Sequence, residues 1–205
     1  MRHGETDWNQ EEVFRGRIDV KLNTTGVKQA EATGKALKEM AIKVIYTSPL
    51  SRARVTAERI AQIKTSPVVE EPGFTDINFG EWQGIPLSEV RERYKGLYHI
   101  WKTDPQKMKF SGGESLKEVE DRSIKALEQL MKKHPEETVG IISHRVVCKV
   151  IILNVLKLPL SRFWDIRQDT CSINIFEYRD EKWIIELLND TCHIKSLVKE
   201  RLSDF

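Results

Sequence analysis

Residues 138–144 read Thr-Val-Gly-Ile-Ile-Ser-His, and the reading of this stretch decides the fold. Val139 to Ile142 run without a polar break, between Glu136-Glu137 on one side and Ser143-His144 on the other. A run this short suits a strand buried on both faces and is too short for a buried helix. A second apolar run, Val146 to Leu156, follows at once and has helical length. A doubly buried strand that feeds directly into a helix is the unit of a parallel sheet covered by helices.

The same order recurs on either side. Lys43-Val-Ile-Tyr-Thr-Ser48 is a short β-branched run closed by Pro49. The helical pattern over 51–62 then places Ala53, Ala57, Ile60 and Ala61 on one face. An earlier helix starts after the Leu22-Asn-Thr-Thr-Gly26 turn, with Thr24 or Thr25 as its cap and Val27, Ala30, Gly34 and Leu37 inward. Val68 to Glu71 is a weak strand, 75–86 is irregular, and a helix covers Leu87 to Tyr94. Past Phe110-Ser-Gly-Gly-Glu-Ser115 a long helix carries Leu116, Val119, Leu127, Leu130 and Met131 on one face. Late in the chain, 171–178 and 182–189 are β-rich and flank Arg-Asp-Glu-Lys, a hairpin pattern. The expectation is a three-layer α/β fold: a mostly parallel sheet flanked by helices, an antiparallel edge hairpin and a small helical cap. Residues 1–205 form one domain, with 82–113 as the cap insertion.

Composition narrows the function classes. Lys and Arg total 33 against 31 Asp and Glu, scattered along all 205 residues. No basic run or global field points to nucleic acid or to an anionic membrane. The 3 cysteines, Cys148, Cys171 and Cys192, form no C-x-x-C pair and read as thiols in a reducing compartment. No charged-then-apolar leader and no apolar run near membrane-spanning length is present. The expectation is a soluble, cytoplasmic protein; a homodimer is left open. His99, His134 and His193 show no metal-ligand spacing with a cysteine, and no metal or cofactor is expected.

In sheets of this kind the site lies beyond the carboxyl ends of the strands. Arg52 follows the 43–48 strand, His144 follows the 138–143 strand, and Glu81 lies in the loop after the weak third strand. Arg2 and His3 open the chain. Two arginines, two histidines and one carboxylate on one rim suit phosphoryl transfer. Guanidinium forks match phosphate oxygens and keep their charge. A neutral imidazole can attack phosphorus and carry the phosphoryl group. A carboxyl group can protonate a leaving alkoxide and then deprotonate water. Each residue alone has a blander reading, Arg52 as a solvated helix start and His144 as a core histidine; their shared placement argues against it.

These motifs resemble the histidine phosphatase superfamily, in the branch similar to phosphoglycerate mutase. Arg2-His-Gly-Glu-Thr-Asp-Trp-Asn9, Leu22-Asn-Thr-Thr-Gly26, Tyr46-Thr-Ser-Pro-Leu-Ser-Arg-Ala53, Ile77-Asn-Phe-Gly-Glu-Trp-Gln-Gly84, Gly112-Gly-Glu-Ser-Leu116 and Ile142-Ser-His144 carry the likeness over nearly the whole chain. The resemblance implies that His3 is the phosphorylated nucleophile and Glu81 the proton donor. It implies that Arg2, Asn9, Arg52 and His144 hold the phosphate. It implies a metal-independent phosphomonoester hydrolase acting on a small phosphorylated metabolite. Two alternatives stay open: a phosphoglycerate mutase, and an inactive, truncated binder of phospho-ligands. The mutases carry a long segment after the position of Glu81, whereas this chain reaches a helix within a few residues. That favours the broad phosphatase group that includes alpha-ribazole phosphatases and metal-independent phosphoserine phosphatases.

The chain departs from the family pattern at two places. Arg15 stands between Phe14 and Gly16 where the family often has glutamine, and Arg145 follows the second histidine where a small residue is common. Each reads either as a solvated surface charge or as a cation for a second anionic group of the substrate. Trp82, Trp101 and Trp164 have two readings, pocket lining and core packing, and packing is the commoner fate of large aromatics. In the family an apolar strand precedes the arginine–histidine pair. Here only Met1 does, so the first strand is expected to be missing, leaving a gap beside the strand that ends at His144.

Overall fold

The computed structural model describes residues 1–198. Three strands form a parallel sheet in the order β2-β1-β3: β1 (Ile42–Thr47), β2 (Val68–Glu70) and β3 (Thr138–Ile142). Ile45 pairs with Val68 on one side and Gly140 on the other, so β1 is central. Burial of Val44 to Thr47 follows from that place, with sheet neighbours on both edges and helices over both faces. β4 (Ile173–Arg179) and β5 (Lys182–Asp190) form the expected antiparallel hairpin. Asp180 and Glu181 both take positive φ, 52° and 60°, as the tight two-residue turn between twisted strands demands. The hairpin is a sheet of its own and is not hydrogen-bonded to β3.

Among the described residues seven α-helices surround the sheets: α1 (Asp7–Gln10), α2 (Thr24–Ala36), α3 (Ser51–Lys64), α4 (Leu87–Arg93), α5 (Lys95–Thr103), α6 (Leu116–Lys133) and α7 (Arg145–Val155). The cap of α2 is Asn23, not Thr24 or Thr25: its side chain accepts from the Gly26 N–H at 2.8 Å. An extended Asn one residue earlier can reach that amide, whereas both threonines already have helical backbone. α6 begins at a capping box in which Ser115 and Glu118 satisfy each other's backbone N–H. Val146 to Leu153 of α7 are all buried, Lys149 included.

The larger core gathers Phe14, Phe79, Trp82, Trp101, Phe110 and Phe163. Phe79–Phe110 and Phe14–Trp82 meet edge to face, with centroids 5.0 Å and 5.1 Å apart. Leu87, Val90 and Trp101 of α4 and α5 are buried in the same cluster. Among the described residues no helix is long and apolar enough to cross a membrane.

Candidate active site

The opening residues are fixed from two sides. His3 N–H donates to the Ser143 carbonyl at 2.9 Å, and Ser143 N–H donates to the Met1 carbonyl at 3.0 Å. On the other flank the Cys171 N–H donates to the carbonyls of Arg2 and His3, at 3.2 Å each. Gly4 N–H donates to Thr56 Oγ1 at 3.0 Å, which ties the segment to α3. Gly26 explains the Leu22–Gly26 turn. A Cβ there would lie 2.1 Å from the Glu5 carbonyl oxygen, so only glycine lets the start of α2 press against this backbone.

His3 is 1% exposed. Its Nδ1 lies 2.6 Å from the Gly4 carbonyl oxygen. A carbonyl only accepts, so Nδ1 carries the proton and Nε2 keeps its lone pair. Burial depresses the imidazole's pKa well below its usual value, and Arg52, His144, Arg2 and Arg15 press it further the same way. The ring is therefore neutral and nucleophilic at Nε2.

His144 caps the N-terminus of α7. Its ring centroid is 5.2 Å from that of His3, its Nε2 meets Ser48 Oγ at 2.8 Å, and its Nδ1 lies 3.6 Å from Asp76. Burial, then Arg52 and Arg15, keep its pKa low as well, so both imidazoles are uncharged. The helix dipole adds partial positive charge where Arg145 and Val146 face the pocket.

Four guanidiniums surround the histidines. Arg52, fully buried in the first turn of α3, donates to the carbonyls of Gly16 at 2.7 Å and Ile18 at 2.9 Å and to Asp76 Oδ2 at 3.0 Å. Arg2 donates to the Gln168 carbonyl at 2.7 Å. Arg15 donates to the Trp8 carbonyl at 2.8 Å, while its buried Nε has no hydrogen-bond partner. Burial lowers the pKa of Arg15 well below the usual guanidinium range, with Arg2, Arg52 and Arg145 adding to the effect. Arg145 is buried at the pocket wall. A small pocket opens among His3, Arg15, Gly16, Asp76 and Arg145. Gly16 has φ +52° and its carbonyl faces Arg52, so the loop's left-handed turn and the guanidinium's seat are one feature. Such a ring of desolvated cations around a neutral nucleophile is preorganised for an anion.

The structure thus brings together Arg2, His3, Arg15, Gly16, Arg52, His144 and Arg145. Asn9 is buried in α1 but does not line the small pocket, and its carboxamide oxygen accepts from Thr6 N–H and Oγ1, both at 2.9 Å. Glu81 is exposed and accepts from Ser111 Oγ at 2.8 Å; it does not line the small pocket. Its segment is nevertheless fastened to the Arg15 loop, by Gly84 N–H to the Phe14 carbonyl and Phe14 N–H to the Ile85 carbonyl. Trp82 packs in the aromatic core behind Phe14 rather than on the pocket. Among the described residues no three His, Cys, Asp or Glu side chains cluster to hold a metal. The sequence reading missed Asp76, which ties Arg52 to the His144 side of the pocket. Its signal was its place: it is the first carboxylate of the irregular stretch 75–86, ahead of Glu81. Ser48, Gln168 and Ser111 were missed too, and as partners in long-range contacts they have no local signal.

The family model described as the Histidine phosphatase superfamily (branch 1) matches residues 1–191. Phosphoserine phosphatase 1 of Hydrogenobacter thermophilus is 35% identical over 95% of this chain and 92% of its own. The metal-independent phosphoserine phosphatase of Arabidopsis thaliana is 34% identical over 96% of this chain and 82% of its own. The solved structure of Bacillus stearothermophilus YhfR superposes with TM-score 0.91 at 29% identity, covering 95% of this chain and 96% of that one. A family model that matches residues 1–191 shows the membership: the chain belongs to the histidine phosphatase superfamily, branch 1.

Proposed function

We propose that this phosphatase hydrolyses a small phosphomonoester that carries a second anionic group close to the phosphate, a carboxylate being the group in view. The observation behind the second anion is Arg15 with Arg145. Arg52 and Arg2 already supply cations beside His3, and two further buried guanidiniums exceed what one phosphate requires. Relatives named as phosphoserine phosphatases support the same reading, because phosphoserine has a carboxylate near its phosphate. The path from Glu81 into α4 passes through residues 82–86 only, which favours hydrolysis over mutase chemistry.

The grouping of these side chains supports the following roles. Nε2 of His3 attacks phosphorus, the ester P–O bond breaks, and Glu81 gives its proton to the departing alkoxide. Arg2, Arg52 and neutral His144 hold the phosphoryl oxygens as charge develops. Water then attacks the phosphohistidine and gives a proton to Glu81. The P–N bond breaks, and inorganic phosphate leaves His3 neutral again, as the Gly4 carbonyl requires.

The test is a panel of phosphomonoesters in excess chelator, with and without a carboxylate next to the phosphate. Arg15→Ala and Arg145→Ala are expected to raise KM tenfold or more for carboxylate-bearing substrates and to change neutral ones little, since a charge-assisted contact contributes about 1.5–3 kcal/mol. Small, uniform changes across the panel would return both arginines to a structural role.

A further inference from the structure

In the proposed reaction His3 attacks through Nε2, which requires the ring proton on Nδ1. The Gly4 carbonyl oxygen, 2.6 Å from Nδ1, holds it there. What aims that carbonyl therefore sets the nucleophile. The Gly4 carbonyl and the Glu5 N–H are the two ends of one peptide unit, which is planar and trans, so they point opposite ways. The Glu5 N–H donates to Gln29 Oε1 at 2.9 Å. Gln29 is 0% exposed on α2, on the same face as Gly26 three residues earlier. Gly26 lets the first turn of α2 lie against this backbone, and Gln29 reaches its N–H. The amide nitrogen of Gln29 is buried with no hydrogen-bond partner among the described residues. Reversing the carboxamide would set donor against donor, so its oxygen has to face Glu5. A buried orphan donor is costly, and here it accompanies an acceptor that serves this one N–H.

Glycine makes the restraint necessary. A Cβ at position 4 would lie 2.5 Å from the Gly26 carbonyl oxygen, so the residue has to be glycine. Glycine also lets the peptide unit that follows it turn over readily. Turned over, the unit would aim the Glu5 N–H at the ring in place of the Gly4 carbonyl. An N–H only donates, so Nδ1 would have to accept and the proton would sit on Nε2, the atom that attacks. Thr56 and Cys171 hold the N–H and carbonyl of the unit before, and the Asn23 N–H holds the Glu5 carbonyl in the unit after. We propose that Gln29 is the positioning residue of the nucleophile: by holding the Glu5 N–H it aims the Gly4 carbonyl at Nδ1 and so fixes the ring tautomer that leaves Nε2 free. The proposal rests on His3 being the nucleophile. As Nε2 takes up phosphorus the ring gains positive charge and Nδ1–H becomes a stronger donor. A carbonyl already aimed at it stabilises that charge without rearrangement.

The experiment compares the parent chain with three substitutions. Gln29→Met removes the acceptor, Gln29→Asn draws it back by one methylene, and Gln29→Glu keeps an accepting oxygen at the same reach in either protonation state. Nitrogen NMR spectra of the His3 ring and single-turnover phosphorylation by nitrophenyl phosphate are measured on each. The parent should show a protonated Nδ1 and a bare Nε2. In Gln29→Met and Gln29→Asn the Nε2–H tautomer should appear, and phosphorylation should slow by roughly 100-fold, the loss expected when a reacting atom is misplaced by about 1 Å. The substrate concentration at half-maximal rate should change little, because Arg2 and Arg52 are untouched. Gln29→Glu should restore both readings. A loss of packing alone would lower the thermal midpoint and leave the tautomer as it was. The proposal fails if Gln29→Met and Gln29→Asn keep the parent's ring spectrum, or if Gln29→Glu loses it. A parent chain that carries no phosphoryl group on His3 would overturn the nucleophile instead, and the ring spectra separate that failure from this one.

Discussion

Replacing Asp76 by asparagine removes the carboxylate that touches Arg52 while keeping the side chain's size. The Arg52 side chain is 0% exposed and that of Asp76 9%, and their contact is 3.0 Å. Breaking a buried ion pair from one side costs about 3–5 kcal/mol, most of it from the charge left behind. Arg52 keeps the Gly16 and Ile18 carbonyls, and asparagine keeps an oxygen, so the lower end applies, about 3 kcal/mol. For a domain of this size each kcal/mol moves the midpoint by about 2–4 °C, which gives a drop of about 6–12 °C. The ring of arginines then carries one uncompensated charge more, and an anion should bind more tightly. Ligand at a hundred times its Kd adds about 2.7 kcal/mol. Inorganic phosphate should therefore restore much of the loss, and should stabilise Asp76→Asn more than the parent. Scanning calorimetry at pH 7.5 with and without phosphate reads both effects. A drop below about 2 °C, or weaker stabilisation of the variant by phosphate, would refute the account of Asp76 as the counter-charge of the pocket.

Acid should expose the buried histidines. His3 and His144 have folded pKa values below the unfolded value near 6.5, so the unfolded chain takes up protons first and the stability present above that pH is lost as pH falls below it. Two such groups steepen the loss toward about 2.7 kcal/mol per pH unit well below pH 6.5, and urea titrations from pH 7.5 to 5 should show about half that slope in a His3→Phe variant, which keeps His144. Glu81→Gln should cut hydrolysis of alkyl phosphates by about 10²–10⁴-fold but barely slow phosphorylation by nitrophenyl phosphate, whose leaving group needs no proton; equal losses on both would remove Glu81 from the acid role. Gly26→Ala should destabilise by about 3 kcal/mol, since a backbone carbonyl cannot swing aside as a side-chain tip can, and a denaturation midpoint equal to the parent's would contradict that packing.

The alternation of strands and helices was legible because each buried strand is an unbroken apolar run and each helix keeps its period. The positions after β1 and β3 were legible for the same reason: the segment past a strand end delivers polar residues to the rim, Arg52 and His144 among them. Asp76 was passed over because its role depends on a contact with a residue 24 positions away. The separation of the hairpin from β3 could not be read from the hairpin itself, whose pattern is the same at a sheet edge or alone. The capping of α2 by Asn23 rather than a threonine turned on one backbone angle. Arg15 and Arg145 kept two readings in sequence, a solvated charge or a cation for a second anion, because arginine is usually solvated; in the folded chain both are buried.

The central claim is that the neutral Nε2 of His3 takes the phosphoryl group. Turnover should be quenched in alkali, which spares phosphohistidine, with excess chelator present throughout, and the digested protein mapped by mass spectrometry. The account predicts a phosphoryl group on His3 that is lost in acid, and its absence, together with loss of hydrolysis, in His3→Ala. Phosphorylation of a different residue, or turnover that survives in His3→Ala, would contradict it.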